Sequence, residues 1–181
     1  MRIRTQRKQY VRTITQWMIG SSLFLAILAG AYWYISRDVS PIPAPIRSQL
    51  TFSPFVVPKN SHSYATSDYT FNTVENNERI LSYIIQLNPG SVTVSEYVQP
   101  AAFSEIPEYK DRFLSNVIKQ YATVQTSNGT IYLGRLSKQN DRQLAIMIEK
   151  GLLVFLSPNK DLDEVQWRKI GDQLEVQKIT N

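Results

Sequence analysis

A chain of 181 residues suits one ordinary domain plus an accessory segment and leaves no room for two full domains. Its formal charge of +5 is carried by Arg2, Arg4, Arg7, Lys8 and Arg12; from Arg37 onward 15 Lys and Arg face 15 Asp and Glu, so the body is neutral and offers no basic face to a nucleic acid. The lack of cysteine removes disulfides, thiolate metal sites, a cysteine nucleophile and a lipoprotein anchor.

After Arg12 come 24 residues without a charge, and their apolar part, Trp17 to Ile35, would rise roughly 28 Å as a helix against a hydrocarbon core of roughly 30 Å. Trp17 at one end and Tyr32, Trp33 and Tyr34 at the other read as interfacial belts. Five basic residues before this segment, against a balanced Arg37/Asp38 pair after it, predict a single-pass protein of the cytoplasmic membrane, N-terminus inside and body outside. The predicted divisions are a basic tail over 1–13, a transmembrane helix over 14–36, a proline-bearing spacer over 37–50 and an extracytoplasmic domain over 51–181. Ala29-Gly30-Ala31 also fits a cleavage site after Ala31, the alternative being a released protein. The apolar run continues past that point through Tyr-Trp-Tyr-Ile, which favours an uncleaved signal-anchor. Ala26 and Gly30 have the small-xxx-small spacing that lets two helices approach, a candidate route to a homodimer. Pro41, Pro43 and Pro45 then predict an extended, semi-rigid segment.

From Phe52 the dominant period is two. "ERILSYIIQL" puts Leu81, Tyr83, Ile85 and Leu87 on one face, and "GSVTVSEYV" does the same with Val92, Val94 and Val98. Asn88-Pro89-Gly90 between them is a turn, so the two predict a hairpin, with "YATSDYTFNTV" as a preceding strand. Pro100 stops the sheet, and Phe113, Leu114, Val117 and Ile118 predict a helix from Pro107 to Lys119 with acids in its early turns. "YATVQTS", "GTIYLGRL", "RQLAIMIEK" and "LLVFLS" read as four more strands, the first two joined through Asn128-Gly129 and the last two forming a central hairpin at Gly151. Asp161 followed by Glu164 has capping-box spacing, and Val165, Trp167, Ile170 and Leu174 predict an amphipathic helix. The expected architecture is α+β, an antiparallel meander with two helices packed on one face.

Candidate chemistry is sparse. His62, the only histidine, stands in a polar stretch with no second histidine or cysteine to complete a site, and reads as a loop residue. Glu96, Glu105, Glu108 and Asp111 cluster in sequence, but the last three are explained as charges opening a helix, and neither an EF-hand nor an H-E-x-x-H pattern is present. Glu96 stands out because it shares a strand face with Val92, Val94 and Val98. A glutamate there lies at a sheet edge and reaches water, the reading its place favours, or is partly buried and paired. Serine-nucleophile elbows and glycine-rich phosphate loops are absent, and Asn128-Gly129-Thr130 formally matches a glycosylation acceptor while a tight turn explains it. No catalytic, cofactor or metal residue is predicted.

The phrases "FSPFVVPKNSHSYATSDYTF", "ILSYIIQLNPGSVTVSEYVQP" and "NGTIYLGRL" through "DLDEVQWRKIGDQL" resemble the extracytoplasmic domains of bacterial single-pass proteins, themselves similar to the sheet-and-helix domain of lipoprotein-sorting carriers and some anti-sigma-factor regulators. The resemblance implies a non-catalytic domain that binds an apolar ligand or another envelope protein; the shorter length of this chain argues against a deep lipid cavity. The resulting expectation is a membrane-anchored binding or interaction module, with a structural subunit of a secretion or division complex as the alternative.

Overall fold

The runs with a period of two fold as strands, and both segments of helical spacing contain helices. The computed structural model describes Ile27 and residues 40–59, 61, 63–73, 78–136 and 141–179. Apart from Ile27, the expected membrane helix, its aromatic belts at Trp17 and Tyr32 to Tyr34, the basic residues from Arg2 to Arg12, the Ala26/Gly30 pair, Ala31 and His62 lie outside the described residues. Among the described residues no helix is long and apolar enough to cross a membrane. The chain divides after Val39 into two units, and the second, from Ser40, holds all the described strands.

In chain order this unit contains α1 (Ala44–Arg47), β1 (Phe55–Val56), β2 (Ala65–Thr73), β3 (Arg79–Leu87), β4 (Gly90–Val98), α2 (Ala102–Glu105), α3 (Tyr109–Val117), β5 (Ile118–Thr126), β6 (Gly129–Leu136), β7 (Gln143–Glu149), β8 (Leu152–Pro158), α4 (Glu164–Gln173) and β9 (Glu175–Val176). Seven strands form one antiparallel sheet in the order β2-β3-β4-β8-β7-β6-β5, and β1 pairs with β9 as a separate two-stranded ribbon. The sheet is therefore two meanders, β2 to β4 and β5 to β8, joined where β4 meets β8 through seven antiparallel residue pairs. The β7–β8 hairpin turns at Lys150 and Gly151, whose φ values of 52° and 75° suit the left-handed two-residue loop.

The expectation of two helices on one face is corrected: α3 and α4 cover opposite faces. On one side Trp167 and Ile170 of α4, with Leu174 at its C-cap, share a core with Leu81, Tyr83 and Val94, while on the other Leu114 of α3 packs with Leu144, Ile146, Ile148 and Leu153. The physical reason lies in β7, where every residue from Leu144 to Ile148 is buried; a strand buried on both sides needs a layer on each. Val165, grouped with the apolar stripe in the sequence, is 60% exposed, because two positions from Trp167 places it on the far side of the helix.

Three boundaries also shift. The helix expected over Pro107 to Lys119 ends at Val117, since Ile118 is buried against Gly134 and opens β5 without a loop. The cap of α4 is Asp163, not Asp161: its side chain accepts from Gln166 N–H at 2.8 Å, and Gln166 Oε1 accepts from Asp163 N–H at 3.0 Å. Gln143 explains the delay, because its buried amide accepts from Leu162 N–H and donates to Leu162 O, holding that residue extended in the core before the helix can begin; Asp161 pairs with Arg135 instead. The segment expected as a spacer over 37–50 belongs to the domain from Ser40, because Ile42 and Leu50 are core residues and Ala44–Arg47 turns once as a helix after Pro43. Alternating prolines fix local φ but do not stop the isoleucine between them from finding an apolar surface.

The α3 layer leaves part of its face open. Ser67, Thr70 and Asn72 on β2, Ile80, Ser82, Ile84 and Gln86 on β3, and Thr93 and Ser95 on β4 lie on this side by register, half-buried or exposed, and none carries a charge. At the other end of the sheet packing is tight. A Cβ on Gly134 would stand 2.6 Å from Ile118 Cβ and 2.9 Å from Lys119 O. Gly134→Ala is expected to lower stability by about 1–3 kcal/mol through overpacking, and Asp163→Ala by about 1 kcal/mol through the lost cap; urea unfolding of both against the parent checks the two figures.

Candidate functional site

Among the described residues Glu96 is the one carboxylate that the fold takes out of water. β4 runs between β3 and β8, so Glu96 stands opposite Leu81 on one side and Val154 on the other, on the face that carries α4, and is fully buried. The sheet-edge reading is overturned. Strand order puts β4 in the interior of the sheet, and period two alone cannot supply that information. Val98, expected on the same apolar face, is 54% exposed because the strand runs out of cover at its end.

Burial is made tolerable by β1. Glu96 Oε2 accepts from Phe55 N–H at 2.8 Å, while Tyr83 Oη donates to Phe55 O at 3.0 Å. The backbone of Phe55 is thus held by two side chains of the sheet, and Pro54 O next to it accepts from Gln177 N–H at 2.8 Å in the ribbon with β9. Tyr69 of β2 stacks on Tyr83 with ring centroids 5.1 Å apart and donates to Thr66 Oγ1 at 2.9 Å. Glu96 Oε1, Trp167 Nε1 and Gln177 Oε1 are buried without a hydrogen-bond partner.

Loss of solvation pushes the Glu96 carboxyl well above the usual carboxylate range, against a smaller downward pull from Phe55 N–H. Tyr83 is raised well above the usual phenol value, first by burial and then by facing Glu96. Its bond from Phe55 N–H holds β1 on the sheet; with no solvent-exposed atom Glu96 is not placed to act on a dissolved substrate.

The other carboxylates do not join it. Glu105, Glu108 and Asp111 are exposed on the α2–α3 segment, across the sheet from Glu96, and Glu108 forms an i,i+4 ion pair with Arg112 at 3.7 Å. Among the described residues no group of three His, Cys, Asp or Glu is arranged to hold a metal. Open clefts among the described residues include one of about 260 Å³ lined by Phe52, Glu78, Arg79 and Tyr97 and another of about 360 Å³ lined by Asp111, Leu114 and Lys119. Glu96 lines neither. Asn128 uses its amide to cap the end of α4, donating to Gly171 O at 3.2 Å and Asp172 O at 3.3 Å. Sequence reasoning missed Phe55, Tyr83 and Gln143 as the partners that fix buried polar groups; Gln143 carried a signal, a polar residue opening an unbroken apolar run.

Compared with models of protein families, with curated proteins and with solved structures, the chain matches none.

Because the pKa of Glu96 in the folded protein lies above its ordinary value of 4.5, the folded state holds a proton that the unfolded state releases. Its contribution to stability is complete below about pH 4.5 and is lost as pH rises toward the folded-state value, with a slope of at most about 1.4 kcal/mol per pH unit. Glu96→Gln preserves the shape of the neutral acid and removes this proton, so urea unfolding between about pH 5 and pH 8 should show the variant gaining on the parent as pH rises; parallel curves would exclude the assignment. Tyr83→Phe, which orphans the Phe55 carbonyl, should cost about 1–3 kcal/mol, read from the same titrations.

Proposed function

We propose that the protein is a membrane-anchored extracytoplasmic binding module that brings together components of a bacterial envelope and carries no catalytic centre of its own. The observation that carries this reading is the separation of charge along the chain. Five basic residues stand before 24 uncharged ones, and the remainder is balanced at 15 positive against 15 negative. Such an order suits a segment held in the bilayer with its positive flank inside, followed by a body that does not adhere to anionic surfaces. The body supports the reading by its build: a core continuous from Ile42 to Leu174, with its surface carboxylates dispersed rather than converging. The resemblance to carrier and regulator domains adds the expectation of an apolar ligand or an envelope protein as the partner.

A second reading, a structural subunit that assembles through its membrane helix, is favoured by the Ala26/Gly30 spacing. Affinity capture with the full chain and with a form lacking residues 1–39 separates the two. A module retains partners without the helix, whereas a helix-borne subunit loses them.

Proteolysis of intact cells combined with N-terminal sequencing of the mature protein tests the topology. The expected result is a body digested from outside and an N-terminus upstream of Arg12. A mature chain starting at Tyr32 would show release from the membrane, and a protected body would reverse the orientation.

A further inference from the structure

We propose that Asn128 is a site of spontaneous deamidation, and that conversion of its amide to a carboxylate frees the β5–β6 turn from the end of α4. The modification is a property of the fold and holds whatever the domain binds.

The fold dictates both halves of a labile pair. Asn128-Gly129 is the one Asn-Gly sequence in the chain. Gly129 opens β6 with a φ of 138°, and a Cβ there would stand 2.3 Å from Glu149 Cγ, so this position calls for glycine. Asn128 is set by what it caps: its Nδ2 donates to Gly171 O at 3.2 Å, to Asp172 O at 3.3 Å and to Ser127 Oγ at 3.2 Å. The two carbonyls can be met only by a donor, and the amide supplies it. Asparagine is a thermolabile residue, and a glycine after it leaves the backbone nitrogen unshielded from the amide carbon.

In the reaction the Gly129 nitrogen gives up its proton to hydroxide and attacks Asn128 Cγ. A carbon–nitrogen bond forms, the Cγ–Nδ2 bond breaks, and Nδ2 leaves as ammonia with a proton supplied by water. Water then opens the cyclic imide. Cleavage at Cγ gives aspartate; cleavage at the main-chain carbonyl of Asn128 gives isoaspartate, with the backbone rerouted through Cβ. In the closed turn the hydrogen bonds from Nδ2 hold the amide against this attack, so the reaction waits for the turn to lift from α4.

The product does not fit back. A carboxylate at 128 has no hydrogen to offer Gly171 O and Asp172 O, and it stands at the negative pole of α4, whose last turn holds no basic residue. The Asp172 carboxylate, which accepts from Ser127 N–H at 2.7 Å, brings a like charge to the same turn. Lost donors and repulsion act in one direction, so an opening that ends in hydrolysis is retained.

The test uses the full chain in mild detergent, held at mildly alkaline pH and mapped by peptide mass spectrometry. Asn128 should convert to aspartate and isoaspartate ahead of Asn116 and Asn159. Asp172→Ala, which removes the anchor of Ser127, should speed the conversion about threefold or more. Asn128→Asp should melt below Asn128→Ala, which loses the same donors without gaining a charge, and the gap should close in acid as the carboxylate is protonated. In Asn128→Asp and in the aged parent, hydrogen exchange at the Ser127 amide should quicken about tenfold while the Ile146 amide in β7 stays protected. Asn128 left intact after Asn116 and Asn159 have converted, a rate unchanged by Asp172→Ala, or equal melting of Asn128→Asp and Asn128→Ala overturns the proposal. Unchanged Ser127 exchange in the aged protein refutes release of the turn.

Discussion

β4 and β8 are the only neighbours in the seven-stranded sheet that do not follow each other in the chain, and the rest of the fold depends on their pairing. Each meander forms from local hairpins and has one flank without a partner. Seven residue pairs close that gap and put Glu96 opposite Val154 at the seam. The same pairing places β7 and β8 in the middle of the sheet, where both faces are shielded. Contacts this distant in sequence raise the entropy of closure, which loops of this length meet at modest extra cost but with slower folding.

Much of the domain was legible because its strands are local facts. Alternation and strand composition located β2 to β8 to within a few residues, and Trp167, Ile170 and Leu174 announced α4. What stayed hidden was relational. No window of residues says that β4 is interior, so Glu96 read as an edge residue. Prolines 41, 43 and 45 describe their own dihedral angles and are silent on whether Ile42 meets a core. One clue was present and points to a general reading: Leu144 to Ile148 are apolar at every position, and a strand with no polar face cannot border solvent, so helices had to lie on both sides. The α4 cap was misplaced by two residues because Asp161 and Asp163 both carry the signal, and the choice between them is made by Gln143 from another strand.

The candidate functional features separate in the same way. Glu96 is a structural acid, detected in the sequence by its place in an apolar row but understood only through Phe55, a residue 41 positions away. The open face of β2 to β4 could not be assembled from sequence, because its members come from three strands and acquire a common side only once register is known. Chemistry spread over a flat sheet leaves no compact motif.

The β1–β9 ribbon orders events during synthesis. Phe55 emerges before any strand of the sheet, yet its ladder partner Val176 follows the last of them. Until β8 and β9 have been made, β1 has no ribbon to join and Glu96 lacks its neighbour Val154. Docking of the first strand thus waits on the last, and it brings the Glu96 carboxyl into the buried setting that raises its affinity for a proton.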